Sequence, residues 1–384
     1  MIIEFIRSKE TEMIELLETL VNIDSGSYFK EGIDEIGTIL KKKYEELGFL
    51  VKVDLQKERG NHLVIKHKEA KKPKIIVVAH MDTVFPKGAS KKRRFQIMGN
   101  RAYGPGVVDM KASLVSLLYA MKILLNMNEK AYQNIEIVLN SDEEIGSISS
   151  RKLIEEVAKN KDYALIVEPG RKDGSLVSER KGGASYTLKV KGVSSHSGIE
   201  HEKGRSAIEE VAYKTIKLHK LTNYHDGITI NVGLLKGGTS VNTVAPTAIA
   251  GVDVRISKPE QAMFVDRRIR EICAKPDVEG TQIEVVGSKI RPPMVKDEAT
   301  VEMLNVIKGI GNELGIDIKD TYTGGGSDGN LTKALGIPTM DGLGPVGGNA
   351  HSEDEYLEID SFCERTHMLA EIMKQLSLIK VESR

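Results

Sequence analysis

In IIVVAHMDTVFP, residues 75–86, five apolar residues run straight into His80 and Asp82, with Pro86 close behind. A run rich in β-branched residues, preceded by Lys74 and stopped by Phe85-Pro86, reads as a central strand covered on both faces, as in a parallel sheet. Such a sheet hides the run and exposes its end. Ligands of open α/β folds sit beyond the carboxyl ends of the strands, so His80 and Asp82 stand where chemistry is usually built. A histidine at that point can equally cap the strand or bond a loop. The surrounding chain has to separate the two readings.

Outward from this strand, helical patterns near 32–47, 110–126 and 147–159 alternate with the short apolar strands HLVIKH, KIIVVAH, NIEIVLNS and YALIVE. That alternation predicts βαβ units and an α/β domain with a mainly parallel sheet. From Gly182 to about Ser288 the texture changes. Alternating strands (ASYTLKVKG, GITINVGLL, TAIAGVDVRIS, TQIEVVGS) are interleaved with helices over Arg205 to Lys220 and PEQAMFVDRRIREICAK. The pattern predicts an α+β domain over 182–288, an antiparallel sheet plus two helices, inserted into the α/β domain formed by 1–181 and 289–384.

The 384 residues are 40% hydrophobic, and 55 basic side chains balance 55 acidic ones. Two sizeable cores are therefore affordable, and no global field draws the chain to nucleic acid or to an anionic membrane. No apolar run approaches the roughly 18 residues of a membrane helix. The amphipathic, acid-rich start, MIIEFIRSKETEMIELLETLVNID, is unlike a signal peptide, so a cytoplasmic protein is expected. Cys273 and Cys363 lie too far apart in sequence to suggest a disulfide framework or a thiolate metal cluster.

Four strand ends carry candidate ligands: VVAHMDT, YGPGVVDMKAS, VLNSDEEIGS and LIVEPG. A fifth segment, GGNAHSEDEYLEI, supplies His351. Strands leaving at one sheet edge would gather His80, Asp82, Asp109, Asp142, Glu143, Glu144, Glu168 and His351. So many acids in one cleft repel one another unless cations lie among them. Nitrogen and carboxylate donors without thiolates suit zinc, cobalt or manganese. One acid at a strand end is usually an N-cap or a solvated turn, but five such segments in this order call for another explanation.

The ordered set HMDTVFP, YGPGVVDMK, NSDEEIGS, VEPG, SSHSG, GGTSVNTVAP, DVR, GGGSDGN and HSEDEYLEI spans nearly the whole chain. It resembles the di-zinc metallopeptidase family that includes aminoacylase, succinyl-diaminopimelate desuccinylase and the bacterial glutamate carboxypeptidases of the carboxypeptidase G type. The resemblance implies two zinc ions per chain, with cobalt or manganese as substitutes. His80, Asp109 and Glu168 would hold one; Asp109, Glu144 and His351 would hold the other, with Asp109 as the bridge. Asp82 would fix the His80 tautomer. Glu143, its carboxylate pointing away from that of its ligand neighbour, would take a proton from the attacking water and pass it to the leaving amine. His196 would stabilise the oxyanion. Asn242 and Arg291 would face the substrate's carboxylate, Arg255 either assisting or bracing the loop, and the backbone of Gly325, Gly326 and Ser327 would face the same anion. Ala112 and Ser113 depart from the family's usual glycines, at a helix start where both are acceptable.

The function implied is a zinc-dependent hydrolase cleaving an amide next to a free carboxylate, a glutamate carboxypeptidase-like exopeptidase acting on small peptides or N-acyl amino acids. An N-acyl amino acid deacylase or a dipeptidase would use the same groups. A non-catalytic dimeric binding module is the reading from another class, and retention of Glu143 argues against it. The resembling enzymes pair through the inserted domain and place the matching histidine in the neighbour's cleft, so a homodimer with His196 acting across it is expected.

Overall fold

The computed structural model describes residues 2–127, 130–287 and 291–379. The chain divides into two compact units. One comprises Met1–Glu179, Lys296–Tyr322 and Ser327–Arg384, and the other Arg180–Val295 with Thr323–Gly326. The second unit is thus wider than the 182–288 stretch suggested by sequence texture, and Ser288 itself lies outside the described residues.

The first unit is built on a six-stranded sheet in the order Phe49–Asp54, His62–His67, Ile135–Asn140, Ile75–His80, Tyr163–Ile166 and Thr339–Met340. Ile75–His80 runs parallel to both of its neighbours, with Ile75 opposite Ile135 on one side and Tyr163 on the other. Thr339–Met340 continues the parallel set, whereas His62–His67 runs antiparallel to both its neighbours. Every residue of Ile75–His80 is buried. Ile75, Val77 and Ala79 enter the larger core together with the helices Ala112–Asn126 and Ile359–Leu378. Ile76 and Val78 enter a second core with Ile154, Ala158, Leu331 and Ile337. A strand apolar on both faces needs cover on both, and the alternation of its side chains distributes them between the two cores.

The second unit is a four-stranded antiparallel sheet in the order Thr229–Gly237, Thr247–Ile256, Gly182–Lys191 and Gln282–Gly287. Its helices Ala207–His219 and Gln261–Ala274 cover one face, where Tyr186, Leu188, Val252 and Val254 meet Val211, Val265 and Ile269. Ser206 caps the first helix by accepting from the Glu209 N–H, the S-x-x-E arrangement that satisfies an otherwise orphaned donor. The edge strand Thr229–Gly237 carries a bulge between Val232 and Leu234 and leaves Leu234 and Leu235 exposed. No helix among the described residues is long and apolar enough to cross a membrane.

Because Ile76 is fully buried against the second core, Ile76→Ala should cost roughly 2–5 kcal/mol. The midpoint of urea unfolding, followed by far-UV dichroism, should fall accordingly. A shift equivalent to less than about 0.5 kcal/mol would mean that this face of the sheet is not packed.

Candidate metal centre

The sheet of the first unit delivers its polar ends to one edge. His80 is the last residue of its strand. Glu168 follows the strand Tyr163–Ile166 by two residues. Glu143 and Glu144 open a 3-10 turn, Glu143–Ile145, just beyond the strand Ile135–Asn140. Asp109 sits in the irregular turn before the helix Ala112–Asn126, with φ −114° and ψ 91°. His351 lies in a turn that it enters at φ 66°.

These side chains meet. His80 Nε2 is 3.2 Å from Asp109 Oδ1 and 3.7 Å from Glu168 Oε1. His351 Nε2 is 3.3 Å from Asp109 Oδ2 and 3.2 Å from Glu144 Oε2. Each oxygen of Asp109 therefore faces a different imidazole. Glu143 also turns its carboxylate inward: one of its oxygens, a ring nitrogen of His80 and an oxygen of Glu168 lie within 4.8 Å of one another. Glu144 groups instead with His80 and Asp109, so the two adjacent carboxylates face different sets of candidate ligands.

Asp82 is fully buried, but the nearest contact to His80 Nδ1 is its backbone carbonyl, at 2.9 Å, with the carboxylate Oδ1 at 3.4 Å. A carbonyl can only accept, so Nδ1 carries the proton and Nε2 is left to face Asp109 and Glu168. The carboxylate of Asp82 instead accepts from the Ser27 hydroxyl and from the N–H groups of Glu143 (3.1 Å) and Glu144 (3.2 Å).

The protonation pattern is that of a site built for cations. Burial alone would depress the pKa of His80, but Asp109, Asp82 and Glu168 outweigh it and hold the imidazole well above its usual range. Asp109 and Glu144 push His351 up to about 10. Burial, then the Asp109 charge, raises Glu168 well above the usual carboxylate range, while burial raising Asp109 is overcome by His351 and His80. In addition, Glu144 Oε1 is buried without a hydrogen-bond partner among the described residues, and Asp109 Oδ1 has only the His80 contact. An unpaired buried acceptor beside protonated imidazoles fits divalent cations, which would replace those protons and satisfy that oxygen.

The remaining candidates lie in the second unit, apart from Ser327. The His196 loop pairs with the segment Asn242–Val244: His196 is bridged to Thr243, Ser197 N–H donates to the Asn242 carbonyl (3.0 Å), and Val244 N–H to the Ser195 carbonyl (2.9 Å). Gly198 N–H donates to His196 Nδ1 (3.1 Å), so the neutral ring presents Nε2–H as a donor. Arg255 is engaged by Asp253 through two hydrogen bonds, 2.9 and 3.1 Å, which is a bracing contact. Arg291 pairs its backbone with Gly183. Arg180 donates to the Gly325 carbonyl, and a Cβ at Gly325 would meet nothing within 4 Å. Ser327 is the exception and is corrected: it is fully buried, its hydroxyl donates to Asp341 and its N–H to Asn330, leaving neither for a substrate. Sequence reasoning missed Ser27 and Glu355. Glu355 stands beside the exposed acids Glu353 and Asp354, and nothing local in the sequence separates it from them.

A sheet edge that collects nitrogen and carboxylate donors without thiolates marks, in a fold of this kind, a metallohydrolase. Known proteins narrow the class: residues 76–375 match peptidase family M20/M25/M40, and the chain belongs to that family of hydrolytic enzymes. It is 29% identical over 376 residues to carboxypeptidase G2 of Pseudomonas sp. (strain RS-16), covering 96% of this chain and 90% of that one. In fold it resembles the aminopeptidase PepT of Bacillus cereus (23% identity, TM-score 0.77, 96% and 98% of the two chains). It also resembles a dinuclear metal-binding M20 peptidase of Bacillus subtilis (17% identity, TM-score 0.67, 96% and 99%).

A cation entering this centre must displace protons from His351, whose pKa lies about 10, and from His80. Binding at pH 7 should therefore release protons, and affinity should rise with pH from neutrality toward about 10 and fall on acidification. Calorimetric zinc titrations in two buffers of different ionisation enthalpy measure this directly. Equal heats in both buffers would contradict it.

Proposed function

We propose that this chain is a di-zinc exopeptidase that hydrolyses the amide next to a free carboxylate, as a glutamate carboxypeptidase does. The observation that carries this reading is Asp109, with one oxygen toward His80 and the other toward His351, the disposition of a carboxylate that bridges two ions. His80, Asp109 and Glu168 are assigned to one ion, and Asp109, Glu144 and His351 to the other. Zinc suits the donor set, and cobalt or manganese can substitute. The bound ions would polarise the scissile carbonyl and acidify the attacking water.

The protein's own groups do the rest. Glu143, beside His80 and Glu168, accepts the proton from water and returns it to the departing amine. His196 Nε2–H is aimed at the developing oxyanion, contributed by a second copy in a homodimer formed through the second unit, whose edge strand Thr229–Gly237 offers unpaired backbone groups. Asn242 and Arg291, with the backbone of Gly325 and Gly326, take the substrate's carboxylate, for which a guanidinium fork is suited. Arg255 braces through Asp253. Similarity to carboxypeptidase G2 supports a carboxypeptidase, and the motifs' resemblance to the glutamate carboxypeptidases favours glutamate as the released residue. Two buried, unlinked cysteines, Cys273 and Cys363, suit a reducing, cytoplasmic setting.

Amidating the terminal carboxylate of a cleaved N-acyl glutamate should lower kcat/KM by the value of charge-assisted hydrogen bonds, roughly 1.5–3 kcal/mol. Equal rates on acid and amide would defeat the carboxypeptidase reading. Glu143→Gln should retain both ions while turnover falls by roughly 10² to 10⁴-fold or more. Near-normal turnover would pass the base role to another group.

Mixing His196→Ala chains with Glu143→Gln chains tests action across the dimer. Random exchange should restore up to about a quarter of wild-type activity, since half the dimers are mixed and each has one intact site. No recovery despite demonstrated exchange would confine His196 to its own chain or remove it from catalysis.

A further inference from the structure

We propose that Glu355 is a positioning residue that sets the geometry of Asp109 and His351 for metal binding; this rests on the dinuclear reading above. Glu355 is fully buried. Its carboxylate accepts from three backbone N–H groups of the turn that carries Asp109: Gly106 at 3.0 Å on Oε2, and Val108 at 2.9 Å and Asp109 at 3.0 Å on Oε1. That turn has no regular secondary-structure partner for these amides, because Gly106 is at φ 72° and Asp109 and Met110 leave helical geometry. A Cβ at Gly106 would sit 2.5 Å from Thr83, so the backbone passes close to the strand-end segment and has little room to shift. The acceptors it needs come from a residue about 250 positions away, a separation the hydrogen bonds record as 246 to 249.

The same residue roots the His351 turn. From Asn349 to Asp354 the turn is exposed or half-buried, and Glu355 is its first buried residue. Within the turn, Ser352 N–H and hydroxyl both bond the Asn349 carbonyl (3.1 and 2.7 Å), and Asp354 N–H bonds the Ser352 hydroxyl (3.2 Å). Those bonds shape the turn but do not place it. Placement comes from the antiparallel pairing of Gly347 and Gly348 with Leu357 and Tyr356 at its ends, from Glu355 at its root, and from Arg93, which donates to the Glu353 carbonyl at 2.8 Å. One carboxylate therefore fixes the backbone of the bridging ligand and, four residues earlier in the chain, the turn of a second ligand. Burying an anion is costly, and the partners of this one are the amides of the Asp109 turn. Outer groups that orient ligands in this way typically change metal affinity by roughly 10–100-fold when removed.

The test is zinc affinity, read by competition with a chromophoric chelator, for wild type, Glu355→Gln and Glu355→Leu. The amide retains one acceptor oxygen and the leucine none, so affinity should fall by about 10-fold or more in the first and further in the second. The metal-free variants are monitored by near-UV dichroism, and should the leucine variant not fold, the glutamine variant carries the test alone. A purely structural role would lower the melting temperature of the metal-free protein and leave the zinc dissociation constants unchanged. Wild type that binds two equivalents, with a folded variant that binds both as tightly, overturns this inference alone. Wild type that never binds two overturns the dinuclear reading beneath it.

Discussion

Like-charge repulsion at one sheet edge is the constraint around which the rest of this molecule is arranged. Asp109, Glu143, Glu144 and Glu168 converge within a few ångströms of two imidazoles, and His80 itself is 1% exposed. Most of this cluster is shielded from water, which screens it weakly, so its charges must be balanced largely by one another or by bound cations. In the protein alone the balance is struck by protons, on His80, His351 and Glu168. Divalent cations would strike it better, since they also reach the buried Glu144 oxygen that finds no donor among the described residues.

Behind this layer lies a second set of carboxylates that accept hydrogen bonds from several neutral donors. Asp142 accepts from Ser149 N–H and the hydroxyls of Ser149 and Ser150; Asp328 accepts from Asn140 and from Ser147; Asp82 accepts from Ser27 and the two glutamate N–H groups. Most of these donors belong to residues 140–150, the segment that carries Glu143 and Glu144. An ionised carboxylate holding several neutral donors is among the stronger hydrogen-bonded arrangements, and it stiffens whatever backbone supplies them. The turn that presents the two glutamates is thus clamped from behind, and substitution of an acid in this second layer acts on the front layer through geometry.

Much of this was legible in the sequence. An apolar run ending in His80 and Asp82 reads as a doubly covered strand with a polar end, and the two cores that flank it have that arrangement, although that end is itself buried, His80 at 1% and Asp82 at 0% exposure. The motif order sufficed for the family. Harder to read were details set by partners distant in sequence. Ser327 looked like part of an open glycine-rich turn, but Asp341 and Asn330 take up its polar groups. Asp82 reads as the orienter of His80 through its carboxylate, yet its own carbonyl is the closer acceptor and the carboxylate serves the 143–144 turn. Glu355 sits in a run of three acids whose other members are exposed, and no local pattern says which of them turns inward.

Ser113 shows how such a distant partner makes a local departure tolerable. It stands where the resembling family often has glycine, at a helix start packed against the sheet, and it is fully buried. The room for its side chain comes from Gly344, where a Cβ would lie 2.1 Å from Ser113 Oγ. Gly344 cannot move away, because its N–H donates to the Glu168 carbonyl (2.8 Å) and its carbonyl accepts from the buried Arg365 (2.9 Å). The hydroxyl at 113 and the missing side chain at 344 are therefore one packing decision. Its consequence falls on the backbone of Glu168, so the fit between a helix and a loop far apart in sequence ends at the candidate metal centre.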